Sequence, residues 1–359
     1  MEANETLPTV ANDYEDDFLK NMSDADYIEF VAQFLKPTPI EFVFVGVYLC
    51  LMLIGIVGNC LVVYVVLRNK AMWSSLNYWL VNLAVSDLLI LILCLPATTA
   101  TDITKTFWFG TAACKSILFA QNTSVYVSVL TLMCVSIERW RAVTNPLAHQ
   151  IWKTFQIIPC IWLIAFILSL PEPFTLQIYP AEYERKNLDT AWGSRCTESW
   201  GDTFQQKYQL TQTLILFFFP LLIISGLCIH MSLILRRKAL QVGERQLRNR
   251  KRATRILISV TLLFGISYLP VHLHNIATAF HLEAPQDEPS LMIIAFRKFI
   301  PRLFSYSSSS FNPILYNFTC EKFRKEFRRA FCFGDKNQRK MSLAVRRSTR
   351  YSSVSGTNL

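Results

Sequence analysis

The chain contains long blocks of apolar residues, each long enough to cross a lipid bilayer as a helix. A helix needs about 20 mostly apolar residues to cross the hydrocarbon core of a membrane. Blocks of this kind lie at residues 42–67, 77–100, 111–139, 155–173, 206–235, 253–280 and 291–317. A single block could be the buried face of a soluble helix, but the whole set would expose far too much apolar surface to water. The sequence therefore predicts an all-α membrane protein.

Composition excludes the pair of soluble domains that a length of 359 residues would otherwise suggest. Only 17% of the residues are charged, whereas a soluble globular domain carries about 25%. The first six blocks are clear, but Ser305 and residues 307–310 interrupt the seventh. We retain the seventh block because it contains Asn312, Pro313 and Tyr316, whose pattern is discussed below.

Charge sets the orientation of the predicted helices. Residues 1–40 hold nine acids and two bases, a net charge of −7. Residues 236–255 hold nine bases and one acid, and residues 320–359 hold eleven bases and three acids, so each segment has a net charge of +8. Basic segments stay in the cytoplasm, so we expect the N-terminus outside and the C-terminus inside, which requires an odd number of crossings. We expect no cleavable signal peptide, because residues 1–36 lack an apolar core.

The predicted fold class is a seven-transmembrane helix bundle followed by a short amphipathic cytoplasmic helix. The predicted regions are an acidic extracellular tail with an amphipathic segment (1–41), the bundle (42–317), the juxtamembrane helix (318–333) and a disordered cytoplasmic tail (334–359). Asn4 and Asn21 begin glycosylation sequons on the extracellular side. A third sequon at Asn122 lies within a span, out of reach of the transferase. Cys332, beside the amphipathic stretch, is a candidate palmitoylation site at the inner leaflet.

Two of the ten cysteines are predicted to lie together on the oxidising side of the membrane. Cys114 lies at the outer start of the third span and Cys196 in the loop before the fifth, while the other eight lie in spans or cytoplasmic segments. We favour a disulfide between Cys114 and Cys196. Two free buried thiols are the alternative.

Several polar side chains are predicted to lie at bilayer depth, where an ionisable group costs roughly 2.5–3.5 kcal/mol and marks a functional candidate. Asp87 lies in the middle of the second span. Residues at similar depth in other spans are Asn59, Ser128, Ser308, Ser309 and Asn312. Hydrogen bonding between helices, at about 0.6 kcal/mol per bond, explains Asn59 but not a charge at Asp87. Asp87, Ser128, Ser308, Ser309 and Asn312 can instead form a pocket for Na⁺ or a hydrogen-bond network that rearranges.

The spans also contain features of a bundle that changes shape. Prolines occur in or near the ends of five spans, at Pro96, Pro171, Pro220, Pro270 and Pro313. Each proline frees a backbone carbonyl and bends its helix. At the inner end of the third span, Glu138 and Arg139 can neutralise each other, and a released arginine can donate to the backbone carbonyls of a partner. Interfacial anchoring by Glu138, Arg139 and Trp140 is the alternative.

The order and spacing of the motifs point to a known family. The motifs are Gly58 with Asn59; Asn82 to Asp87; Cys114 with Cys196; Glu138, Arg139 and Trp140; Trp162; Pro220; Phe264 with Tyr268, Leu269 and Pro270; and Asn312 to Tyr316. Over nearly its whole length the chain resembles the rhodopsin-like (class A) G-protein-coupled receptors. The resemblance implies a multi-pass plasma-membrane receptor that is not an enzyme and that activates a heterotrimeric G protein.

Within that family, four features are similar to the orexin and allatotropin neuropeptide receptors. A Tyr-Leu-Pro motif ending at Pro270 replaces the commoner Trp-x-Pro, and Trp140 replaces the usual Tyr. Gln121 stands where amine receptors carry Asp, and the acidic segment 24–37 resembles the N-terminal helix of orexin receptors. Neuropeptide FF and neuropeptide Y receptors share much of this scaffold and are the alternative. An opsin is excluded because Tyr306 stands at the position of the retinal lysine.

The resemblance implies a ligand pocket that opens to the outside between spans two, three, five, six and seven. The residues that map to this pocket are Gln121, Gln212, Thr213, His272, Asn275, Arg302 and Tyr306, with Asp102 and Trp108 near its rim. Gln121 and Asn275 can each donate and accept, which suits an amidated peptide terminus. Arg302 could meet either a ligand carbonyl or Asp102. We expect no metal site, because His272 and His274 face different directions.

The predicted extracellular segments are acidic, which favours a basic peptide as the ligand. Residues 174–205 hold five acids and three bases, and residues 281–290 hold three acids and no base. A negative vestibule raises the rate at which cationic ligands are encountered. Solvated loops that are acidic without any such role are the alternative.

The switch implied by the resemblance is a population shift in which the lower half of the sixth span swings outward about Pro270 and exposes Arg139 to the G protein. The residues assigned to it are Asp87, Glu138, Arg139, Trp140, Phe264, Tyr268, Pro270, Asn312, Pro313 and Tyr316. Cys228 replaces a Tyr that supports the open state in many relatives. Arg250 replaces a Glu that ties the sixth span to the arginine in some relatives, so Glu138 must hold Arg139 alone. Basal activity could consequently run either way.

The other predicted partners bind the cytoplasmic tail or surround the bundle in the membrane. Phosphorylation of serines and threonines in the basic tail by receptor kinases would create contacts for arrestin. Membrane lipid surrounds the bundle, and we expect no nucleic acid and no cofactor apart from Na⁺ near Asp87. A transporter or channel is the principal non-receptor alternative, for which internal repeats would be expected, and we find none in the sequence.

Overall fold

The computed structural model describes residues 22–145, 154–181, 183, 190–237, 244–281, 291–319 and 321–331. Seven long helices make up most of this part of the chain, and we number them as spans. Span one is Pro39–Arg68, span two Ser75–Thr104, span three Gly110–Thr144, span four Thr154–Thr175, span five Asp202–Arg237, span six Glu244–Ala279 and span seven Leu291–Thr319. A short 3₁₀ turn, Lys70–Met72, joins spans one and two. Two shorter helices, Asp24–Phe34 and Glu321–Phe331, flank the bundle.

The seven-helix, all-α prediction is confirmed, and the helices extend beyond the apolar blocks that predicted them. The block at 111–139 becomes Gly110–Thr144, and the helix predicted from residue 253 begins at Glu244. Apolar residues mark only the part of a helix inside the hydrocarbon core, whereas backbone hydrogen bonding continues into the polar interface. Six of the helices are long and apolar enough to cross a membrane by length and composition.

Span seven is more polar, yet its serines do not interrupt the helix. Ser307 Oγ donates to the carbonyl of Phe304 at 2.6 Å, and Ser310 Oγ donates to the carbonyls of Tyr306 and Leu51 at 3.1 and 2.9 Å. A hydroxyl that bonds to a carbonyl one turn earlier in its own helix needs no water. Span seven therefore stays continuous from Leu291 to Thr319.

Spans two and five each contain one π-helical turn. The turn in span two is Ile90–Cys94, between helical segments Ser75–Leu89 and Leu95–Thr104. The turn in span five is Thr213–Phe218, between Asp202–Gln212 and Phe219–Arg237. Pro96 and Pro220 follow closely, and a proline removes one helical hydrogen bond. Each π turn accommodates one extra residue at the point where the α-helical ladder is broken.

Span three lies at the centre of the bundle, where it packs against spans two, four, five and six, while span seven packs against spans one and six. Span one approaches its neighbours closely at two glycines. A Cβ atom on Gly55 would lie 2.5 Å from Leu91 Cδ1, and one on Gly58 would lie 2.9 Å from Pro313 Cβ. Many large apolar side chains, such as Leu222 at 70% exposure, point outward, as expected for a surface that meets lipid.

A β-hairpin covers the outer end of span three. Strand β1 (Leu176–Tyr179) pairs antiparallel with β2 (Arg195–Glu198), and Ile178 lies opposite Cys196. Cys196 is joined to Cys114 of span three, so the predicted disulfide is confirmed. Phe107 N–H also donates to the carbonyl of Ser194 at 2.9 Å. The disulfide and this bond fix the hairpin to the bundle.

The N-terminal helix Asp24–Phe34 lies within the predicted amphipathic segment. Ser23 caps it by accepting the Asp26 N–H at 3.2 Å, and Tyr27 and Val31 are its buried residues. The Glu41 carboxylate caps span one by accepting the Thr38 N–H at 2.7 Å. Both caps satisfy N–H groups at helix N-termini, and the second lets span one begin with four residues between it and the N-terminal helix.

The helix Glu321–Phe331 lies within the predicted juxtamembrane region 318–333 and is amphipathic. Phe323 and Phe327 are buried, and Phe323 packs against Tyr316 of span seven with ring centroids 6.1 Å apart. The predicted glycosylation sites Asn4 and Asn21 and the predicted palmitoylation site Cys332 lie outside the described residues.

Candidate functional site

The outer half of the bundle brings together polar residues from spans three, five and six. Gln212 Nε2 donates to the hydroxyl of Tyr126 at 2.8 Å. Thr213 Oγ1 lies 3.1 Å from His272 Nδ1, and the His272 ring stacks on Phe217 with centroids 4.4 Å apart. The predicted pocket residues Gln212, Thr213 and His272 therefore link spans three, five and six in this conformation.

Gln121 and Asn275 differ from these residues because both are partly exposed and neither makes a side-chain hydrogen bond to another described residue. Gln121 belongs to span three, one residue before Asn122, and Asn275 belongs to span six, three residues after His272. Each amide can donate two hydrogen bonds and accept two. Both side chains are therefore available to a ligand.

Asp102 is fully buried, which corrects the expectation that it lies at the pocket rim. Its Oδ1 atom accepts from Arg302 Nη1 and lies 3.3 Å from Lys298 Nζ. Of the two roles predicted for Arg302, the structure shows the ion pair with Asp102. The reason is electrostatic, since a buried carboxylate is costly unless it is paired.

Tyr306 was predicted to line the ligand pocket, but its side chain is only 2% exposed. Its hydroxyl forms a 2.8 Å hydrogen bond with Thr98 of span two, and its ring packs edge-on against Tyr48 of span one at 6.1 Å. In this conformation Tyr306 connects spans one, two and seven beneath the cluster of Asp102 and Arg302.

Trp108, the other residue predicted near the rim, is 44% exposed. Its indole N–H donates to Thr104 Oγ1 at 2.9 Å, and its ring meets Trp192 edge-on at 4.8 Å. Gly193, the next residue along the extracellular segment, donates its N–H to Thr106 Oγ1 at 2.9 Å. The extracellular segment before β2 is thereby held against the turn between spans two and three.

A buried acid at the outer end of span four was missed by the sequence interpretation. Glu172 is 4% exposed, and its Oε1 accepts from Asn122 Nδ2 at 2.7 Å and from the Tyr208 hydroxyl at 3.3 Å. The available signal was an acid between Pro171 and Pro173 at the edge of an apolar block. The sequence identifies Asn122 only as part of a sequon, whereas in the structure its side chain donates a hydrogen bond to Glu172.

The middle of the bundle contains the predicted polar network around Asp87. Asn312 Nδ2 donates to Asp87 Oδ2 at 2.8 Å, and both residues line a small cavity together with Ser128 and Ser308. Ser309 is buried beside Asp87 but does not line the cavity. Four of the cavity's nine lining residues come from the predicted sodium pocket on spans two, three and seven, and Phe264 and Tyr268 of span six belong to the predicted switch.

Phe264 and Tyr268 connect this cavity with the outer pocket. Their rings lie 4.7 Å apart, and Phe264 also packs against Phe217 at 6.0 Å. Phe217 in turn stacks on His272. The aromatic rings therefore form a continuous series of contacts between spans five and six. Pro270 lies in span six, between Tyr268 and His272.

At the cytoplasmic end, Glu138 accepts three hydrogen bonds. Its Oε1 lies 2.5 Å from Arg139 Nη2, and its Oε2 accepts from Ser75 Oγ at 2.7 Å and from Trp79 Nε1 at 2.6 Å. Trp79 is 1% exposed. The predicted ion pair is thus present, and the two donors from span two were not predicted.

Two other switch residues, and two residues at which the chain departs from its relatives, also have defined surroundings. Trp140 Nε1 donates to His230 Nδ1 of span five at 2.8 Å, so Trp140 connects spans three and five. Tyr316 is fully buried and its hydroxyl has no hydrogen-bond partner among the described residues. Cys228 is buried at the position where a Tyr was expected. Within the described part of the chain, Arg250 forms no ion pair with Glu138, whose ion-pair partner is Arg139.

Comparison with known proteins agrees with this geometry. Residues 58–316 match the family model described as 7 transmembrane receptor (rhodopsin family). The chain is 29% identical to neuropeptide FF receptor 1 of Rattus norvegicus over 326 residues, which cover 86% of this chain and 74% of that protein.

Proposed function

Because the chain belongs to the rhodopsin family of seven-transmembrane receptors, we propose that it is a neuropeptide receptor whose ligand is an amidated, basic peptide. Members of this family are plasma-membrane proteins without enzymatic activity that couple to heterotrimeric G proteins. Family membership also excludes the transporter or channel alternative. What the proposal adds is the chemical nature of the ligand and the choice of G protein.

The partly exposed amides of Gln121 and Asn275 carry the ligand proposal. They lie on spans three and six, have no described side-chain partner, and can both donate and accept. The terminal amide of a peptide can likewise donate and accept hydrogen bonds, whereas an amine neurotransmitter requires a carboxylate. The Asp102 carboxylate is unsuited to that role, because it is already paired with Arg302 and Lys298.

Two peptide classes compete as ligands. The similarity to rat neuropeptide FF receptor 1 supports a peptide of the neuropeptide FF type. Gln121, the Tyr-Leu-Pro motif ending at Pro270, and the N-terminal helix Asp24–Phe34 support a peptide of the orexin or allatotropin type. Both classes fit the same scaffold, so a direct comparison of peptides is required.

The mechanism we propose is a shift between two conformations of the bundle. A peptide bound near Gln121 changes the contacts of His272 and Phe217, and the aromatic contacts of Phe264 and Tyr268 connect these residues to the Asp87 cavity. Outward movement of the lower half of span six then gives the G protein access to Arg139. The ligand achieves this shift only through its higher affinity for the open state. Gq, arrestin and receptor kinases are the expected cytoplasmic partners.

Calcium release in cells that express the chain tests the proposal. The cells are challenged with amidated peptides of the neuropeptide FF, orexin and allatotropin types, and the variant Gln121→Ala is compared at equal surface expression. We expect one class to activate the wild type and the variant to lose most of its potency. Gln156→Ala, which removes an exposed glutamine at the cytoplasmic start of span four, should respond normally. Silence of a full G-protein panel at normal expression would reject the ligand proposal.

A further inference from the structure

Most buried carboxylates in the outer half of the described bundle have a cation as a partner. Glu41 lies 3.6 Å from Lys105 Nζ. Asp102 is paired with both Arg302 and Lys298. Both acids are buried beside a positive charge, as is usual for a buried carboxylate.

Glu172 does not follow this pattern. It is 4% exposed, yet its described partners are two neutral donors, Asn122 Nδ2 and the Tyr208 hydroxyl. Both donate to the same oxygen, Oε1. No described residue bonds to Oε2, which is also not among the atoms sealed from solvent. One carboxylate oxygen is thus held in place, and the other has no hydrogen-bond partner among the described residues.

A second acid lies close to Glu172. Glu198 ends strand β2 opposite Leu176, and it lies near enough to interact electrostatically with Glu172. Burial raises the pKa of the Glu198 carboxyl. In the described part of the chain, no lysine, arginine or histidine forms an ion pair with either acid. The pair therefore forms a local excess of negative charge at the junction of spans three, four and five.

Aromatic rings lie beside these acids. Trp200 packs against Tyr208 and Phe204 with centroids 4.6 and 5.0 Å apart, and Tyr208 is the residue that donates to Glu172. A guanidinium group stacks on aromatic faces while it binds a carboxylate through two parallel N–H groups. A compact ammonium ion would make less use of these rings.

We propose that Glu172 is the binding site for a guanidinium group of the ligand, held by the unpartnered Oε2 atom and flanked by the rings of Tyr208 and Trp200. The inference rests on the proposed function, because it assigns a charge preference to one side of the same pocket. Asn122 and Tyr208 act as positioning residues that orient the carboxylate. Gln121, next to Asn122 in span three, would then contact an adjacent part of the same peptide.

Binding of a small probe tests the site without requiring receptor activation. Thermal unfolding of the purified full-length receptor in lipid nanodiscs is followed with N-acetylarginine amide and with the neutral isostere N-acetylcitrulline amide. We expect the arginine compound alone to raise Tm, and Glu172→Gln to abolish the difference. Glutamine still accepts hydrogen bonds from Asn122 and Tyr208, so the variant should keep its fold, which its Tm without probe verifies. The control Glu29→Gln removes an exposed extracellular charge and should keep the wild-type difference.

Equal shifts by both compounds, or an unchanged preference in Glu172→Gln, would overturn the assignment and leave Glu172 as a structural hydrogen-bond acceptor. With an activating peptide in hand, the same charge can be tested in signalling. Replacing the critical arginine of that peptide by citrulline should lower its potency at the wild type by tenfold or more and should have little further effect at Glu172→Gln. A full additional loss at the variant would contradict the proposal, while the receptor's response to the peptide would still stand.

Discussion

The indole Nε1 of Trp79 lies 2.6 Å from Oε2 of Glu138, so a side chain of span two holds the acid that pairs with Arg139. Ser75, one turn earlier in span two, donates to the same oxygen at 2.7 Å. Both donors hold the carboxylate in the position from which it contacts Arg139. Span two thereby contributes to an ion pair that lies within span three.

Replacing Trp79 by phenylalanine should raise the activity of the receptor without ligand. Phenylalanine fills most of the same buried volume but cannot donate, and a hydrogen bond to a charged group is worth about 1.5 kcal/mol or more. If the closed state alone loses this bond, the active fraction rises about tenfold while it is small. Ligand-independent G-protein activation at equal surface expression measures the effect.

Trp73→Phe is the matched control for this prediction. Trp73 lies near the same end of span two, is 51% exposed, and donates to the backbone carbonyl of Val66 rather than to Glu138. Its loss should leave basal activity unchanged. Equal basal activity in wild type and Trp79→Phe would show that Ser75 and Arg139 suffice to hold Glu138.

Substituting asparagine for Asp87 should remove the sensitivity of peptide binding to sodium. Asparagine can still accept the hydrogen bond from Asn312, but it brings no charge to the cavity shared with Ser128 and Ser308. We expect NaCl to weaken agonist binding to the wild type relative to N-methylglucamine chloride at equal ionic strength, and the two salts to be equivalent for the variant. A sodium effect that persists in Asp87→Asn would place the ion elsewhere.

Alanine at Gly58 should destabilise the receptor. The added Cβ would lie 2.9 Å from Pro313 Cβ, and the rigid proline ring cannot move aside cheaply. Overpacking of this kind costs about 1–3 kcal/mol, which should lower the Tm of purified receptor by several degrees. Gly46→Ala, also in span one, places its Cβ where no atom lies within 4 Å and should leave Tm unchanged or raise it. Equal Tm values for the two variants would mean that spans one and seven can move apart at Gly58 with no loss of stability.

Removal of the disulfide should impair surface delivery and peptide response together. Cys114 and Cys196 are 82 residues apart in sequence, and their bond fixes the hairpin over span three. Because Cys114→Ser and Cys196→Ser break the same bond, the double variant should lose no more than either single variant. An additive loss, measured by surface labelling and calcium release, would reveal a separate role for one of the cysteines.

The helices and the polar centre were predictable from sequence, because each depends on residues within one span. An apolar block indicates a helix wherever it packs, and a charge at Asp87 is unusual on any helix. Side-chain contacts between different spans could not be predicted in the same way. Contacts such as Trp79 with Glu138, or Asn122 with Glu172, depend on the rotation of one helix relative to another.

Asp102 shows the same limit within a single span. It follows the π turn Ile90–Cys94, so the spacing from Asp87 no longer gives the direction in which its side chain points. The acid predicted at the rim is instead buried against Arg302 and Lys298. Residue spacing alone could not indicate where the helix period changes.

The two π turns also divide their helices into upper and lower parts that can evolve separately. Deleting one residue from Ile90–Cys94 or Thr213–Phe218 would restore an ordinary α-helical turn and rotate the extracellular part by about 100° about the helix axis. The cytoplasmic part, which bears the G-protein surface, would keep its orientation. A single codon lost or gained at either turn could therefore present a new set of side chains to extracellular signals in a receptor that still drives the same intracellular response.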